Sequence, residues 1–223
     1  MLVDLSHPLD ASTPRVKLTL PSGEVKEGGL DVEVLVTREE SASFHKGQAS
    51  FQMVRVSFPG PTGTYMDSPL CRWPGKRDIG ELTLEELVLP GVVVDARGLA
   101  AGQSLDELPQ PADVKGAAVL FNFGWDRLWG TPEYRRWPHV APALADRLLA
   151  AGAKLLGFDT ASADGNGVSA HPVHSAALAQ DVPIVENLRG LDRLHGQRFR
   201  FFAIPLAVRG ATSLPLRAFA ETL

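Results

Sequence analysis

The chain has 223 residues, of which 44% are hydrophobic and 22% charged, and its formal net charge at pH 7 is −4. This length and apolar content can build one sizeable core, so we expect a single domain over residues 1–223. The acidic balance and the lack of a long basic run exclude the electrostatic footprint of a nucleic-acid binder. The single cysteine excludes an intramolecular disulfide and a structural zinc site built from several thiolates.

The first 50 residues are polar and differ from the rest of the chain. Paired glycines at 28–29 and alternating apolar residues over 32–36 predict antiparallel strands and loops, in an N-terminal arm or subdomain over residues 1–50. Acidic residues and prolines stand where a signal peptide would need a basic start and an apolar run. No stretch reaches the roughly 18 apolar residues of a membrane span. We therefore expect a cytoplasmic protein with no membrane partner.

Six short apolar runs from residue 53 onward predict the strands of a sheet. Each run is bounded by Gly, Pro or Asp, and several are rich in β-branched residues. Their apolar residues are continuous rather than alternating, which favours strands covered on both faces. We therefore predict an α/β fold with a mixed β-sheet and flanking helices. The six runs are 53–58, 92–95, 117–121, 154–158, 183–185 and 199–204.

Helical segments are predicted between some of these strands. The clearest is 141–151, where leucines form one stripe and Gly152 provides the stop. Residues 82–87 and 174–180 are shorter candidates. Residues 97–116 are rich in Gly and Pro and are predicted to form a connection.

The segment PTGTYMDSPLC, residues 61–71, places a turn, one carboxylate and the only cysteine close together. Gly63 permits a tight turn, and the Thr64 hydroxyl can hydrogen-bond within it. Taken alone, Asp67 is most simply a turn carboxylate that bonds its own backbone. Cys71 alone is either a small buried hydrophobe or a reactive thiol.

A second group of polar residues lies further along the chain. Asp159 and Glu186 end predicted strands, and His174 begins a predicted helix. Charged groups at strand ends of an α/β sheet commonly line binding sites. Taken singly, His174 could cap its helix and Glu186 could be tied to backbone N–H groups. Together with Asp67, these two residues form an oxygen and nitrogen set suited to Zn²⁺ or Mn²⁺.

Several stretches of the sequence resemble the cyclase family, which contains bacterial kynurenine formamidase and isatin hydrolase. They are DLSHPLD, GTYMDSPLC, AAVLFNFGW, LLGFDTASAD, HPVHSAAL, VPIVENLRGLDRL and FRFFAIPLAVRGATSLPLRAFA, in the family's order and spacing. The resemblance covers nearly the whole chain. It implies a swivelling β/β/α-type sheet, a homodimer and a small-molecule substrate. Members that resemble this chain hydrolyse small amide or lactam-type bonds with one or two divalent metals that activate water.

The loop of this chain departs from the family pattern His-x-Gly-Thr-His-x-Asp-x-Pro-x-His. The three histidines of that pattern fall on Pro61, Tyr65 and Cys71, whereas the aspartate is kept as Asp67. The first two positions therefore supply no imidazole ligand. The third position, a proton-transfer candidate in the family, is a thiol here.

The later His and Glu of the family correspond to His174 and Glu186. With Asp67, they resemble the ligands of one metal in a two-metal member. The resemblance thus implies one divalent metal, Zn²⁺ or Mn²⁺, whose bound water attacks a carbonyl group. Cys71 or Tyr65 would then assist proton transfer or charge stabilisation.

Two other functions stay open at this point, so whether the chain is an enzyme stays open too. The missing loop histidines favour an inactive family member that holds no metal and serves as a small-molecule or protein binding module. The third possibility is metal-free covalent catalysis by Cys71, with His174 as the base. The candidate substrate-binding residues are Thr64 and Trp125, which opens a segment rich in aromatic side chains.

Overall fold

The computed structural model describes residues 1–168 and 170–223. The strands are β1 (Leu2–Asp4), β2 (Val16–Thr19), β3 (Val25–Gly28), β4 (Asp31–Val36), β5 (Met53–Ser57), β6 (Tyr65–Asp67), β7 (Val88–Asp95), β8 (Ser104–Leu105), β9 (Ala118–Asn122), β10 (His139–Val140), β11 (Leu155–Phe158), β12 (Ile184–Glu186), β13 (Phe199–Pro205) and β14 (Ser213–Thr222). The α-helices are α1 (Arg38–Phe44), α2 (Leu84–Leu87), α3 (Pro142–Ala150) and α4 (Pro172–Ala179). Short 3₁₀ helices cover Pro69–Cys71, Ile79–Glu81, Asp126–Leu128, Pro132–Arg136 and Leu191–Leu194.

The main sheet closes on itself. Its eight strands lie in the order β1-β14-β13-β7-β9-β11-β12-β6, and β6 pairs again with β14, so seven strands form a barrel-like ring with β1 outside it. Strands β7, β9, β11 and β12 run parallel, and the other neighbours are antiparallel. The predicted mixed sheet of an α/β chain is thereby confirmed. The finer arrangement, with flanking helices in a swivelling β/β/α type, stays a prediction.

The parallel strands β9, β11 and β12 are buried on both faces, which explains their continuous apolar sequence. Along β9, Val119 and Phe121 join one apolar cluster with residues of α3 and α4, whereas Ala118 and Leu120 join the other. The second cluster draws buried residues from every strand of the ring and therefore fills its interior. Side chains alternate between the two faces of a strand, so each face of β9 needs its own apolar set.

Between β1 and β6, two pairs of antiparallel strands lie outside the ring: the β2–β3 hairpin and the β4–β5 pair, which is connected through α1; we call both N-terminal hairpins. Among the described residues, β2 and β3 pair only with each other, as do β4 and β5, in antiparallel register. Antiparallel strands are thus present where the alternation over 32–36 predicts them. The strand predicted over 53–58 exists as β5, but all five of its residues are exposed, so the expectation of burial on both faces is wrong. The single domain and the N-terminal arm or subdomain stay predictions.

Segment boundaries differ modestly from the sequence predictions. Helix α4 begins at Pro172, two residues before the predicted start, because proline is well accommodated in the first turn. Within the described part of the chain, no helix has the length and hydropathy of a membrane span.

Candidate metal centre

The three-residue strand β6 places Tyr65 and Asp67 in the ring. It pairs with β12 on one side and β14 on the other, with Tyr65 opposite Glu186 and Asp67 opposite both Ile184 and Ser213. Between them, Met66 joins the ring interior. Tyr65 and Asp67 therefore share the opposite face, because side chains two positions apart lie on one side of a strand.

A buried polar network holds the turn that precedes β6. The Thr64 hydroxyl donates to the Asn187 carbonyl at 2.6 Å and accepts from the His7 backbone N–H at 3.0 Å. Asn187, in the left-handed region at φ 56°, donates its side-chain N–H to the Gly63 carbonyl at 2.6 Å. Its amide oxygen accepts from the Tyr134 hydroxyl at 2.8 Å. These contacts fix the turn beside Glu186, which precedes Asn187.

Helix α4 carries His174, the imidazole of the site. The His174 ring approaches Asp164 through Nδ1, which lies 2.6 Å from Oδ2. Its other nitrogen, Nε2, lies 3.2 Å from Glu186 Oε1 and 3.5 Å from Asp67 Oδ2. The ligand atoms of Asp67, His174 and Glu186 all lie within 4.8 Å of one another. The three residues are only 5%, 6% and 1% exposed. The structure thus brings together the trio that the sequence singled out.

Both carboxylates also accept hydrogen bonds from the chain. The Tyr65 hydroxyl donates to Glu186 Oε2, and the Ala163 N–H donates to Oε1 at 2.7 Å. The Ser213 hydroxyl donates to Asp67 Oδ1. Ser213 escaped the sequence reasoning, because its position opposite Asp67 follows only from the pairing of β6 with β14.

The trio faces a cavity of about 540 Å³. Tyr65 and Cys71 also line it, whereas Thr64 and Trp125 do not. Trp125 is buried and donates its indole N–H to the Tyr134 carbonyl at 3.1 Å, and Thr64 is occupied by the turn network. Trp137, from the same aromatic segment, lines the cavity instead. Residues between 161 and 168 form much of the remaining wall. Arg72, His171 and Leu18 also line it, and Leu18 comes from the first hairpin.

Comparison with known proteins identifies the family. A family model described as "Putative cyclase" matches residues 3–165. The chain belongs to the cyclase family. The chain is 30% identical to a kynurenine formamidase of Erythrobacter litoralis over 156 residues, which cover 69% of each chain. It is 29% identical to a kynurenine formamidase of Maricaulis maris over 185 residues, which cover 77% of this chain and 81% of the relative.

Solved structures share the fold of this chain. Isatin hydrolase A from Ralstonia solanacearum superposes with a TM-score of 0.83 at 22% identity, covering 99% of this chain and 91% of that one. Isatin hydrolase A from Labrenzia aggregata, bound to benzyl benzoate, gives a TM-score of 0.80 at 24% identity, covering 99% and 93%.

The electrostatics of this cyclase-family site favour a cation. Burial opposes protonation of His174, but Glu186, Asp164 and Asp67 outweigh that effect and raise the pKa of the imidazole well above its ordinary value. Burial, followed by the charges of Glu186 and Asp67, raises the pKa of the Tyr65 phenol well above its ordinary value. Buried carboxylates that crowd together need a compensating positive charge, which either a proton or a metal ion can supply.

The thiol of Cys71 is poorly suited to act as a metal-free nucleophile. Partial desolvation of its sulfur and the nearby Asp67 carboxylate raise the pKa of the Cys71 thiol to about 11. The thiolate is the nucleophilic form, and this environment disfavours it at neutral pH. The sulfur lies 3.8 Å from the Ser213 hydroxyl oxygen.

Proposed function

We propose that this chain is a metal-dependent hydrolase of a small amide, formamide or lactam-type substrate, and that it uses one divalent metal, Zn²⁺ or Mn²⁺. The observation that carries the proposal is the buried convergence of Asp67, His174 and Glu186 on the floor of a cavity. The kynurenine formamidase relatives and the fold shared with isatin hydrolases support a carbonyl–nitrogen bond as the target.

The residues present fit such a metal. Two carboxylates and one imidazole are ligands that Zn²⁺ and Mn²⁺ both accept. Asp67 and Glu186 are buried acids that a cation would neutralise, and His174 presents Nε2 between them. When bound, a divalent metal supplies polarisation of the carbonyl group and a lowered pKa for water.

The hydrogen bonds of the chain support a single metal. Asp67 Oδ1 is engaged by Ser213 and Glu186 Oε2 by Tyr65. The oxygens nearest His174 Nε2 are Asp67 Oδ2 and Glu186 Oε1, and Oε1 also accepts the Ala163 N–H at 2.7 Å with a lone pair still available. A second ion would need further ligands from the loop. The family's histidine positions there hold Pro61 and Tyr65 in this chain.

We assign Cys71 to hydrogen-bond donation toward the substrate in the cavity, and Tyr65 to holding Glu186 through the hydroxyl hydrogen that it donates to Oε2. Both line the cavity beside the trio. Their raised pKa values keep the phenol and the thiol protonated at neutral pH, as donors rather than bases. His174 would serve as a ligand through Nε2, because its Nδ1 is engaged by Asp164.

The first test is elemental analysis of protein without a metal-binding tag, after dialysis against Zn²⁺ or Mn²⁺. We expect about one metal per chain, as for a site with three protein ligands. Glu186→Ala should lose the metal, and Glu85→Ala, at an exposed carboxylate outside the cavity, should retain it. Hydrolysis of formanilides and lactams should follow metal content. A chain that takes up no metal, or full activity in Glu186→Ala, would contradict the proposal.

A second candidate function is a binding module on the same fold. Pro61 and Tyr65 favour it, because they remove both imidazole ligands from the loop. In that case, a small molecule would bind in the cavity and raise the melting temperature with no turnover in the presence of either metal. The homodimer, the cytoplasmic location and the absence of nucleic-acid and membrane partners stay predictions.

A further inference from the structure

We infer that Asp164 is a positioning residue for the candidate metal centre, fixing the His174 ring so that Nε2 faces Asp67 and Glu186. The inference rests on the proposed function for its consequence, which is metal affinity. Its premise, the orientation of the ring, concerns this chain alone. Asp164 does not line the cavity, so it would act through His174 rather than on a substrate.

Three N–H groups of helix α4 converge on the Asp164 carboxylate. Oδ1 accepts from the Val173 backbone N–H at 2.8 Å. Oδ2 accepts from the His174 backbone N–H at 3.1 Å and lies 2.6 Å from His174 Nδ1. An ionised carboxylate can only accept hydrogen bonds, so Nδ1 must carry a hydrogen. In the neutral ring, the lone pair is then left on Nε2, on the side of the other two carboxylates.

Asp164 is itself held from two directions. It is only 2% exposed. Its backbone N–H donates to the Ser162 hydroxyl at 3.3 Å, and its carbonyl accepts from the Trp137 indole N–H at 2.8 Å. Because Trp137 lines the cavity, one residue connects the cavity wall, the start of α4 and the imidazole.

A ligand role for Asp164 is less consistent with these contacts. Its carboxylate, His171 and His174 also bring ligand atoms within 4.8 Å of one another. That arrangement would require His174 to use Nδ1, which is already engaged, and His171 Nδ1 lies 3.8 Å from Asp164. The hydrogen bonds to α4 favour Asp164 as the support of the ring. Carboxylates that accept the distal N–H of a metal-bound histidine typically raise metal affinity 10–100-fold.

The test compares two buried aspartates that both accept backbone N–H groups. Asp164→Asn leaves one acceptor oxygen where three donors converge. We expect its affinity for Zn²⁺, measured by competition with a chromophoric chelator, to fall about 10–100-fold. Asp159 accepts from the Phe123 and Trp125 N–H groups at 3.0 and 3.1 Å and does not contact His174. Asp159→Asn should therefore lower the melting temperature without changing zinc affinity.

A second measurement uses the unaltered protein and needs no metal. In the ¹⁵N and ¹H NMR spectra of the histidine side chains, the His174 Nδ1–H should give a downfield proton protected from solvent exchange. Absence of this proton would overturn the inference whether or not metal binds. Equal zinc affinity in Asp164→Asn and the unaltered protein would overturn it as well. Failure of the unaltered protein to bind metal, with the protected proton present, would count against the proposed function alone.

Discussion

The ring and the N-terminal hairpins use similar residues with opposite results. In the β4–β5 hairpin, Val32 pairs with Val56 and Val34 with Val54, so four valines share one face, and all four are exposed. In β9, five apolar or amide residues in a row are buried. Apolar composition thus accompanies extended structure in both segments, but the number of pairing neighbours and covering layers decides burial.

The candidate site depends on the ring and the residues packed against it, and not on the N-terminal hairpins. Its ligands come from β6, β12 and α4, and its supporting hydrogen bonds come from β14 and from residues buried beside the ring. The hairpins contribute only Leu18 to the cavity wall. Substitutions in the ring should therefore affect stability and the site together, whereas those in the hairpins should affect neither strongly.

The largest expected effect is in the core between the ring and the helices. Phe121 is fully buried and stacks on Phe158 with ring centroids 5.0 Å apart. Phe121→Ala should lower the free energy of unfolding by about 3–5 kcal/mol, because it leaves a cavity. Val54→Ala in the hairpin should cost within about 0.5 kcal/mol. Urea unfolding, monitored by circular dichroism, measures both losses. Equal losses in the free energy of unfolding would contradict the difference drawn between the ring and the hairpins.

An intermediate effect should depend on pH. His7 is buried and stacks on Trp129 at 4.2 Å. Burial, followed by the charge of Arg189, lowers the pKa of His7 to about 4 from 6.5. Between pH 4 and pH 6.5, the His7 side chain is protonated to a greater extent in the unfolded chain than in the folded one. The stability that depends on a neutral His7 is therefore fully present above pH 6.5 and is lost as the pH falls. The free energy of unfolding should be lower by about 3 kcal/mol at pH 4.

His7→Phe isolates this contribution, because phenylalanine can keep the stacking but cannot titrate. We expect the variant to gain stability relative to the unaltered protein as the pH is lowered from 7 to 4, in urea unfolding at each pH. His45→Phe is the matched control, since His45 is exposed in the N-terminal region and lies against Phe51. A parallel pH dependence of His7→Phe and the unaltered protein would show that His7 does not titrate in this way.

The smallest effect is expected for the exposed ion pair of the second hairpin. Arg55 contacts Glu33, with side chains 63% and 54% exposed. Arg55→Ala should change the free energy of unfolding by no more than about 1 kcal/mol, and less at high salt, because exposed pairs are well solvated. Thermal unfolding at two salt concentrations is sufficient. A loss as large as that of Phe121→Ala would mean that the hairpin is integral to the core.

The sequence predicts the central strands well because their apolar runs reflect two covered faces. Residues 117–121 and 154–158 correspond closely to β9 and β11. Strand β6 could not be predicted in this way, since it is three residues long in a loop-like segment and is defined by partners distant in the chain. The exposure of β5 was missed for the converse reason, because its apolar residues lack a second covering layer.

In the candidate site, too, some features follow from the sequence and others depend on contacts between residues that are distant in the chain. Asp67, His174 and Glu186 could be named from the family pattern, and they converge in the structure. The contact of Ser213 with Asp67 depends on closure of the ring, which no local pattern encodes. Trp125 and Trp137 lie in one aromatic segment, and the short helices between them decide which indole reaches the cavity.

Closure of the ring through β6 has a kinetic consequence. The contacts that complete it join Tyr65 to Glu186 across 121 positions and Asp67 to Ser213 across 146. Contacts so distant along a chain carry a large loop-closure entropy, and proteins dominated by them fold slowly. The β2–β3 hairpin and the helices join residues that are near in sequence and can form early, whereas we expect the carboxylates to acquire these partners late. Refolding should therefore pass through species that have most of the secondary structure and no capacity to hold a cation.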